Sequence, residues 1–292
     1  MRAAVLGQPI AHSRSPVLHN AAYQALGLHD WSYTSIECDE AGLPGLIGSL
    51  GPDWAGLSLT MPLKRAVLPL LDVVDPLVTA VGGANTVVFR PGGRHGYNTD
   101  VPGMVAALAD LGVVTPGVVP AAAVAPGMAP GVAPGAGVAP ASALEGATIL
   151  GAGATACAAL AAVRELGLTS AVVLARSPSR AGDLRDAALR LGVAIELRPF
   201  AAGVRDGDLL ISTLPGTADV AWPPVTSLRA VLDVVYHPWP TPLAAAALRA
   251  GVPVAGGFDL LLHQAARQVE LMTGRAPAPL AEMRAALTAA SR

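Results

Sequence analysis

Residues 146–156 read G-A-T-I-L-G-A-G-A-T-A, and the run from 156 to 166 continues as an alanine-rich stretch. The first five residues suit a short buried strand, and the alanine-rich run suits a helix. Gly151 and Gly153 fall at the turn between them. Glycine there permits a tight backbone and close approach of a pyrophosphate, whose charge is met by the helix N-terminus. Ala156 takes the place of the fingerprint's third glycine. With strand and helix both present, the turn predicts a dinucleotide site; a plain tight βα turn is the alternative.

The pattern continues on the C-terminal side. Strands are predicted at 171–175, 193–197, 208–212, 231–235 and 252–255, with helices at 180–191, 242–249, 258–273 and 279–290. The second strand ends in Ala175-Arg176-Ser177. An NAD site usually carries a carboxylate about 20 residues beyond the glycines, whereas arginine there meets the 2′-phosphate of NADP. Arg180 adds a second positive charge. A solubilising surface arginine is the other reading of Arg176.

On the N-terminal side, strands are predicted at 2–6, 31–36 and 55–60, helices at 15–27, 39–50 and 62–71, and a hairpin joins 84–89 to 94–98. Asp100 opens a helix of about ten residues. Alternation of strand and helix predicts an α/β fold with a largely parallel sheet. Residues 115–141 break the pattern, with six prolines, five glycines and no charge. That composition predicts a flexible insertion.

Polar residues gather beyond the predicted strands of this half. Ser13 and Ser15 follow the first, Thr60 and Lys64 the third, and Asn85 and Asp100 flank the hairpin. Strand ends on the carboxyl side line the ligand crevice of open α/β sheets. The serine pair suits a carboxylate, although Ser15 before Pro16 also suits a helix N-cap.

Composition sets the outer limits. A length of 292 residues suggests two domains, and 52% hydrophobic against 14% charged residues allows large cores. A net charge of −2 gives no field for nucleic acid. Cys38 and Cys157 form no disulfide framework, and the six histidines show no metal-ligand spacing. No apolar span of ~20 residues without proline is present, so no membrane helix is expected. The start of the chain has no signal-peptide anatomy, so the cytoplasm is the expected compartment. Of 19 basic residues, only Lys64 is lysine. A lysine releases a proton when its surroundings tune it; an arginine effectively does not.

Eight stretches, in order, resemble the shikimate dehydrogenase family. They are G-Q-P-I-A-H-S-R-S-P-V-L-H-N at 7–20, S-L-T-M-P-L-K at 58–64, G-G-A-N-T at 82–86, Y-N-T-D at 97–100, G-A-G-A-T-A at 151–156, A-R-S at 175–177, D-V-V-Y-H-P-W-P-T-P-L at 233–243 and G-F-D-L-L-L-H-Q-A at 257–265. The resemblance spans nearly the whole chain except 115–141. It implies NADP(H)-linked interconversion of 3-dehydroshikimate and shikimate, by hydride transfer at the C3 carbonyl, on the route to chorismate and aromatic amino acids. The implied architecture is an α/β substrate domain (1–101 with 258–292) and a doubly wound Rossmann domain (102–257), with a cleft between them. Lys64 and Asp100 are the implied catalytic pair. Ser13 and Ser15 would hold the substrate carboxylate, with Tyr236 nearby, and Thr60, Asn85, Asp100 and Gln264 would bind the ring hydroxyls. The implied cofactor contacts are Gly151, Ala152, Gly153, Ala154, Thr155, Ala175, Arg176, Ser177, Arg180, Thr213, Val234 and Gly257. A small-molecule substrate is the expected partner, in a monomer or a homodimer.

Some positions depart from the family pattern. Ala154 replaces a glycine, Ala175 stands where asparagine is common, Ile211-Ser212-Thr213 replaces N-x-T, and Asp259 sits in G-F-D-L where G-L-G-M is usual. These bear on cofactor affinity and leave the implied catalytic pair intact. Quinate/shikimate or aminoshikimate dehydrogenases remain alternatives on the same scaffold. A non-catalytic regulator binding NADP or shikimate is an alternative of another class; it would bind without turnover. The Ser13/Ser15 segment disfavours other NADP dehydrogenases of the same two-domain plan.

Overall fold

The computed structural model describes residues 1–113, 144, 146–177, 179, 181–204, 208–218 and 225–290. The expected insertion at 115–141, and Arg180, lie outside the described residues. The chain divides into two compact units, Met1–Gly103 with Leu261–Arg292, and Met104–Leu260.

The first unit contains β1 (Arg2–Gly7), α1 (Ser15–Ala25), β2 (Ser32–Glu37), α2 (Leu43–Ser49), β3 (Trp54–Leu59), α3 (Leu63–Ala66), β4 (Val73–Val74), α4 (Pro76–Val81), β5 (Thr86–Arg90) and β6 (Gly93–Tyr97). Helix α5 (Asp100–Asp110) begins in this unit and crosses into the other. The strands form one sheet in the order β2-β1-β3-β5-β6-β4. β1 pairs in parallel with β2 and β3, but β5 runs antiparallel to β3 and β6. The sheet is therefore mixed rather than largely parallel. The predicted hairpin causes this, turning through Pro91 and Gly92, the latter at φ +99°. Pro91 presets the first turn dihedral, and glycine accepts the left-handed one.

Two local differences from the sequence reading have simple causes. The helix expected over 62–71 is only four residues long, followed by a 3-10 turn at Leu68–Leu70. Pro69 lacks an N–H and its ring crowds the carbonyl four residues back, so the helix cannot continue. Strand β4 and helix α4 were absent from the sequence reading. The Asp75 side chain accepts from the Leu77 N–H at 2.9 Å and Pro76 opens the helix, a capping signal that was legible. Strand β3 is buried at all six positions. Leu57, Leu59 and Leu63 anchor the core there, each worth about 1.5–3 kcal/mol of transfer free energy.

The second unit contains β7 (Ala147–Leu150), α6 (Ala154–Glu165), β8 (Ser170–Leu174), α7 (Gly182–Leu191), β9 (Ala194–Arg198), β10 (Leu209–Ser212), β11 (Ala230–Asp233), α8 (Pro242–Arg249) and β12 (Val254–Ala255). The sheet order is β12-β11-β10-β7-β8-β9, with every pairing parallel. This is the doubly wound Rossmann order, and it reverses between β7 and β10, where such sheets bind ligands. Residues Ala156–Val163 of α6 are all buried. Small alanine side chains let this helix lie close to the strands and to α7. Helix α9 (Gly257–Thr273) leads back into the first unit, where α10 (Leu280–Ala290) packs on α1.

Candidate active site

Strand direction gathers the polar residues of the first unit at one sheet edge. β1 and β3 are parallel, so Ser13, Ser15, Thr60 and Lys64 all follow carboxyl ends on the same side. β5 runs the other way, which puts its start beside the end of β3; the Leu59 N–H donates to the Asn85 carbonyl at 2.7 Å. β6 returns, so the Asn85 N–H meets the Tyr97 carbonyl at 3.1 Å and Asp100 follows at once. The Asn98 side chain accepts from the Asp100 N–H at 3.1 Å and donates to the Gly83 carbonyl at 2.9 Å. Asp100 thus enters α5 at its first turn, where the helix dipole favours a negative charge.

The Lys64 Nζ donates to Asp100 Oδ2 at 2.6 Å, with side chains only 16% and 10% exposed. Asp100 Oδ1 accepts from Asn85 Nδ2 at 2.8 Å. Asn85 Oδ1 accepts from the Thr99 N–H at 2.8 Å, the Thr86 hydroxyl at 2.8 Å and the Thr99 hydroxyl at 3.2 Å. This fixes its amide, so the NH₂ must point to Asp100. Gln264 Oε1 lies 3.4 Å from Asn85 Nδ2 and 3.5 Å from Thr99 Oγ1. The cluster therefore offers a lysine ammonium with two further N–H donors, a carboxylate with spare lone pairs, and amides of defined orientation. Such a set can bind hydroxyl groups and deliver a proton.

Other candidate residues have contacts of their own. Ser15 is the first residue of α1 rather than its cap; Arg14 holds the cap position and no side chain caps it. The Ser13 hydroxyl accepts from the Ser15 N–H at 3.3 Å. The capping reading of Ser15 is thereby corrected: Pro16 already suits the helix start, so no capping bond is required of the serine. Tyr236 belongs to the second unit, where it stacks on Phe258 at 5.3 Å between ring centroids.

In the second unit, β7 runs through Gly151 into α6, whose N-cap is Gly153. Gly151 has φ +104°, and a side chain there would meet Thr213 Oγ1 at 2.5 Å. The Thr213 hydroxyl donates to the Leu150 carbonyl at 2.8 Å and so packs under the turn. A side chain on Gly153 would meet nothing within 4 Å, so its outer face is open. The open turn at the N-terminus of a twelve-residue helix, with Arg176 exposed just past β8, fits a dinucleotide carrying a 2′-phosphate. Ala154 is the first helical residue, so alanine costs nothing there. Gly257 has a packing reason of its own, since a side chain would meet the Val234 carbonyl oxygen at 2.5 Å. Asp259 caps α9 by accepting from the Gly256 N–H at 2.9 Å, which accounts for an acidic residue at that position.

Several residues of the cluster escaped the sequence reading. Thr86, Thr99, Ser58, Tyr33 and Gln268 all join it, and His19 reaches it through Gln268 at 3.2 Å. Gln268 lies one helical turn after Gln264, a spacing that does mark a shared face. Burial holds the His19 imidazole at about 3, far below its ordinary 6.5, against a weaker opposing effect of its bond to Gln268. Between those values the unfolded chain takes up a proton that the folded chain refuses. The stability linked to His19 is therefore full above pH 6.5 and is lost as pH falls toward 3, at up to about 1.4 kcal/mol per pH unit. His19→Phe should flatten the fall of the urea midpoint across that window; an unchanged slope would contradict it.

Comparison with known proteins gives a consistent result. Residues 5–87 match the model of the shikimate dehydrogenase substrate binding domain, and 257–288 that of the shikimate 5'-dehydrogenase C-terminal domain. A shikimate dehydrogenase (NADP(+)) of Geobacter sulfurreducens is 34% identical, over 98% of this chain and 95% of its own length. The crystal structure of Mycobacterium tuberculosis shikimate dehydrogenase aligns with TM-score 0.77 at 40% identity, covering 99% of both chains. That of a Thermus thermophilus shikimate 5-dehydrogenase in complex with NADP(H) and shikimate aligns with TM-score 0.78 at 30% identity, again over 99% of both. Among the described residues, no helix is long and apolar enough to cross a membrane, and no three His, Cys, Asp or Glu side chains are placed to hold a metal ion.

Proposed function

Because this chain belongs to the shikimate dehydrogenase family, we propose that it catalyses the reversible NADP-dependent reduction of 3-dehydroshikimate to shikimate, on the route to chorismate and aromatic amino acids. The observation that carries the reading is the Lys64–Asp100 pair at 2.6 Å, held by Asn85 at the carboxyl edge of the first sheet. NADP(H), when bound, supplies or accepts the hydride at C3 of the substrate.

As the carbonyl becomes an alcohol, its oxygen gains negative charge and needs a proton. The Lys64 ammonium meets both needs, stabilising the charge and giving the proton. Asp100 orients that ammonium through Oδ2 and has lone pairs left to accept from a ring hydroxyl. Asn85, Thr60 and Gln264 hold the ring hydroxyls, and Ser13, Ser15 and Tyr236 hold the carboxylate. Arg176, with Arg180, takes the 2′-phosphate. Gly151, Ala152, Gly153, Ala154 and Thr155 carry the pyrophosphate, while Ala175, Ser177, Thr213, Val234 and Gly257 complete the cofactor site. All these residues belong to one chain, so a monomer and a homodimer serve equally. The enzyme works in the cytoplasm on a diffusible small molecule.

Measuring kcat/KM on shikimate, quinate and aminoshikimate, each with NADP⁺ and NAD⁺, tests the reading. The highest value is expected for shikimate with NADP⁺. A higher value for quinate or aminoshikimate would assign the chain to a sibling activity, and binding without turnover would make it a regulator.

A further inference from the structure

A chain of buried hydrogen bonds runs from Tyr33 on β2 to the Lys64–Asp100 pair. The Tyr33 hydroxyl donates to Ser58 Oγ at 2.6 Å, and Ser58 donates to Gln268 Oε1 at 2.8 Å. Gln268 Nε2 donates to Thr86 Oγ1 at 2.9 Å and to the Asn85 carbonyl at 3.3 Å. Thr86 donates to Asn85 Oδ1, and Asn85 Nδ2 donates to Asp100 Oδ1, each at 2.8 Å.

The direction of every link is determined. The Asn85 carbonyl only accepts, so the Gln268 NH₂ must face it, and Oε1 must face Ser58 and His19. Thr86 accepts from Gln268, which leaves its own proton for Asn85 Oδ1. All donors therefore point toward the Asp100 carboxylate, and aligned bonds of this kind polarise one another. Gln268 is 1% exposed and Thr86 is fully buried, so the order is shielded from water.

We propose that Gln268 and Thr86 are positioning residues for the reaction. They set the orientation of the Asn85 amide, and through it the face that Asp100 presents to Lys64 and to the substrate hydroxyl. Without the Thr86 hydroxyl, Asn85 loses a donor that holds its oxygen away from the carboxylate. The inference rests on the shikimate reading above and names residues outside the substrate-contacting set.

Two substitutions at one position separate orientation from packing. Thr86→Val keeps the shape and removes the hydroxyl, whereas Thr86→Ser keeps the hydroxyl and removes a methyl group. The expected result is a fall of about 10–100-fold in kcat for Thr86→Val, with KM for shikimate changed far less, and near-normal kcat for Thr86→Ser. Gln268→Met should lower kcat similarly. Joined to Thr86→Val it should add little, because both act on Asn85. The thermal midpoint of each Thr86 variant shows that it folds before kcat is compared, because valine strips two buried hydrogen bonds and serine leaves a small gap. If Thr86→Val keeps normal kcat, or Thr86→Ser falls as far, the positioning role is overturned. Should Gln268→Met fail to fold, the two Thr86 variants still decide. Failure of the unaltered chain to oxidise shikimate would overturn the activity, and this role with it; normal activity with a silent Thr86→Val overturns this inference alone.

Discussion

Lys64→Ala enzyme should turn over shikimate about 10²–10⁴-fold more slowly than the unaltered chain, the range expected for a positioned acid–base group. Lys64→Arg should recover little of that loss. Arginine restores the charge beside Asp100, yet its pKa is too high for it to give up a proton. The comparison thus separates the electrostatic part of the role from proton delivery. Removing the ammonium leaves Asp100, only 10% exposed at its side chain, without its cation. Folding of each variant should therefore be checked by its thermal midpoint before kcat is compared. Normal turnover in Lys64→Ala would remove this residue from the mechanism.

The second large effect is on the choice of cofactor. Arg176→Ala should raise KM for NADPH by about 10–100-fold while leaving NADH nearly unchanged. One charge-assisted hydrogen bond to a phosphate contributes about 1.5–3 kcal/mol, and only NADP(H) carries the 2′-phosphate. Arg176 stands exposed one residue beyond the buried Ala175, with no carboxylate at the strand end to favour a ribose diol. Equal losses for both cofactors would refute the phosphate role. Arg176→Asp should deepen the discrimination, since it replaces attraction with repulsion.

The Rossmann unit was legible because its signals are local. A glycine turn between an apolar strand and an alanine-rich helix announces itself within about eleven residues, and the following strands repeat the period. The mixed character of the first sheet was less legible. Strand direction there depends on a hairpin that reverses at Pro91 and Gly92, and on β4, which is only two residues long. Periodicity has no purchase on a two-residue strand.

The site divides in the same way. Lys64, Asn85 and Asp100 stand in motifs beside strand ends, so their meeting follows from the topology. Gln268 and Thr86 meet across 182 positions of sequence, and nothing local to either predicts the contact. Ser58 and Tyr33 look like ordinary strand residues until the sheet is assembled, when the tyrosine hydroxyl needs a partner and finds the serine. The lone lysine among 19 basic residues posed the right question from composition alone. Its answer needed the carboxylate 36 positions away, which the fold places at 2.6 Å.

The most direct test of the account adds shikimate to the purified chain with NADP⁺ and follows reduced nicotinamide by absorbance. Prompt NADPH formation, lost in Lys64→Ala, is the predicted result. Absence of NADPH formation from a folded chain, or equal formation by Lys64→Ala, would contradict it.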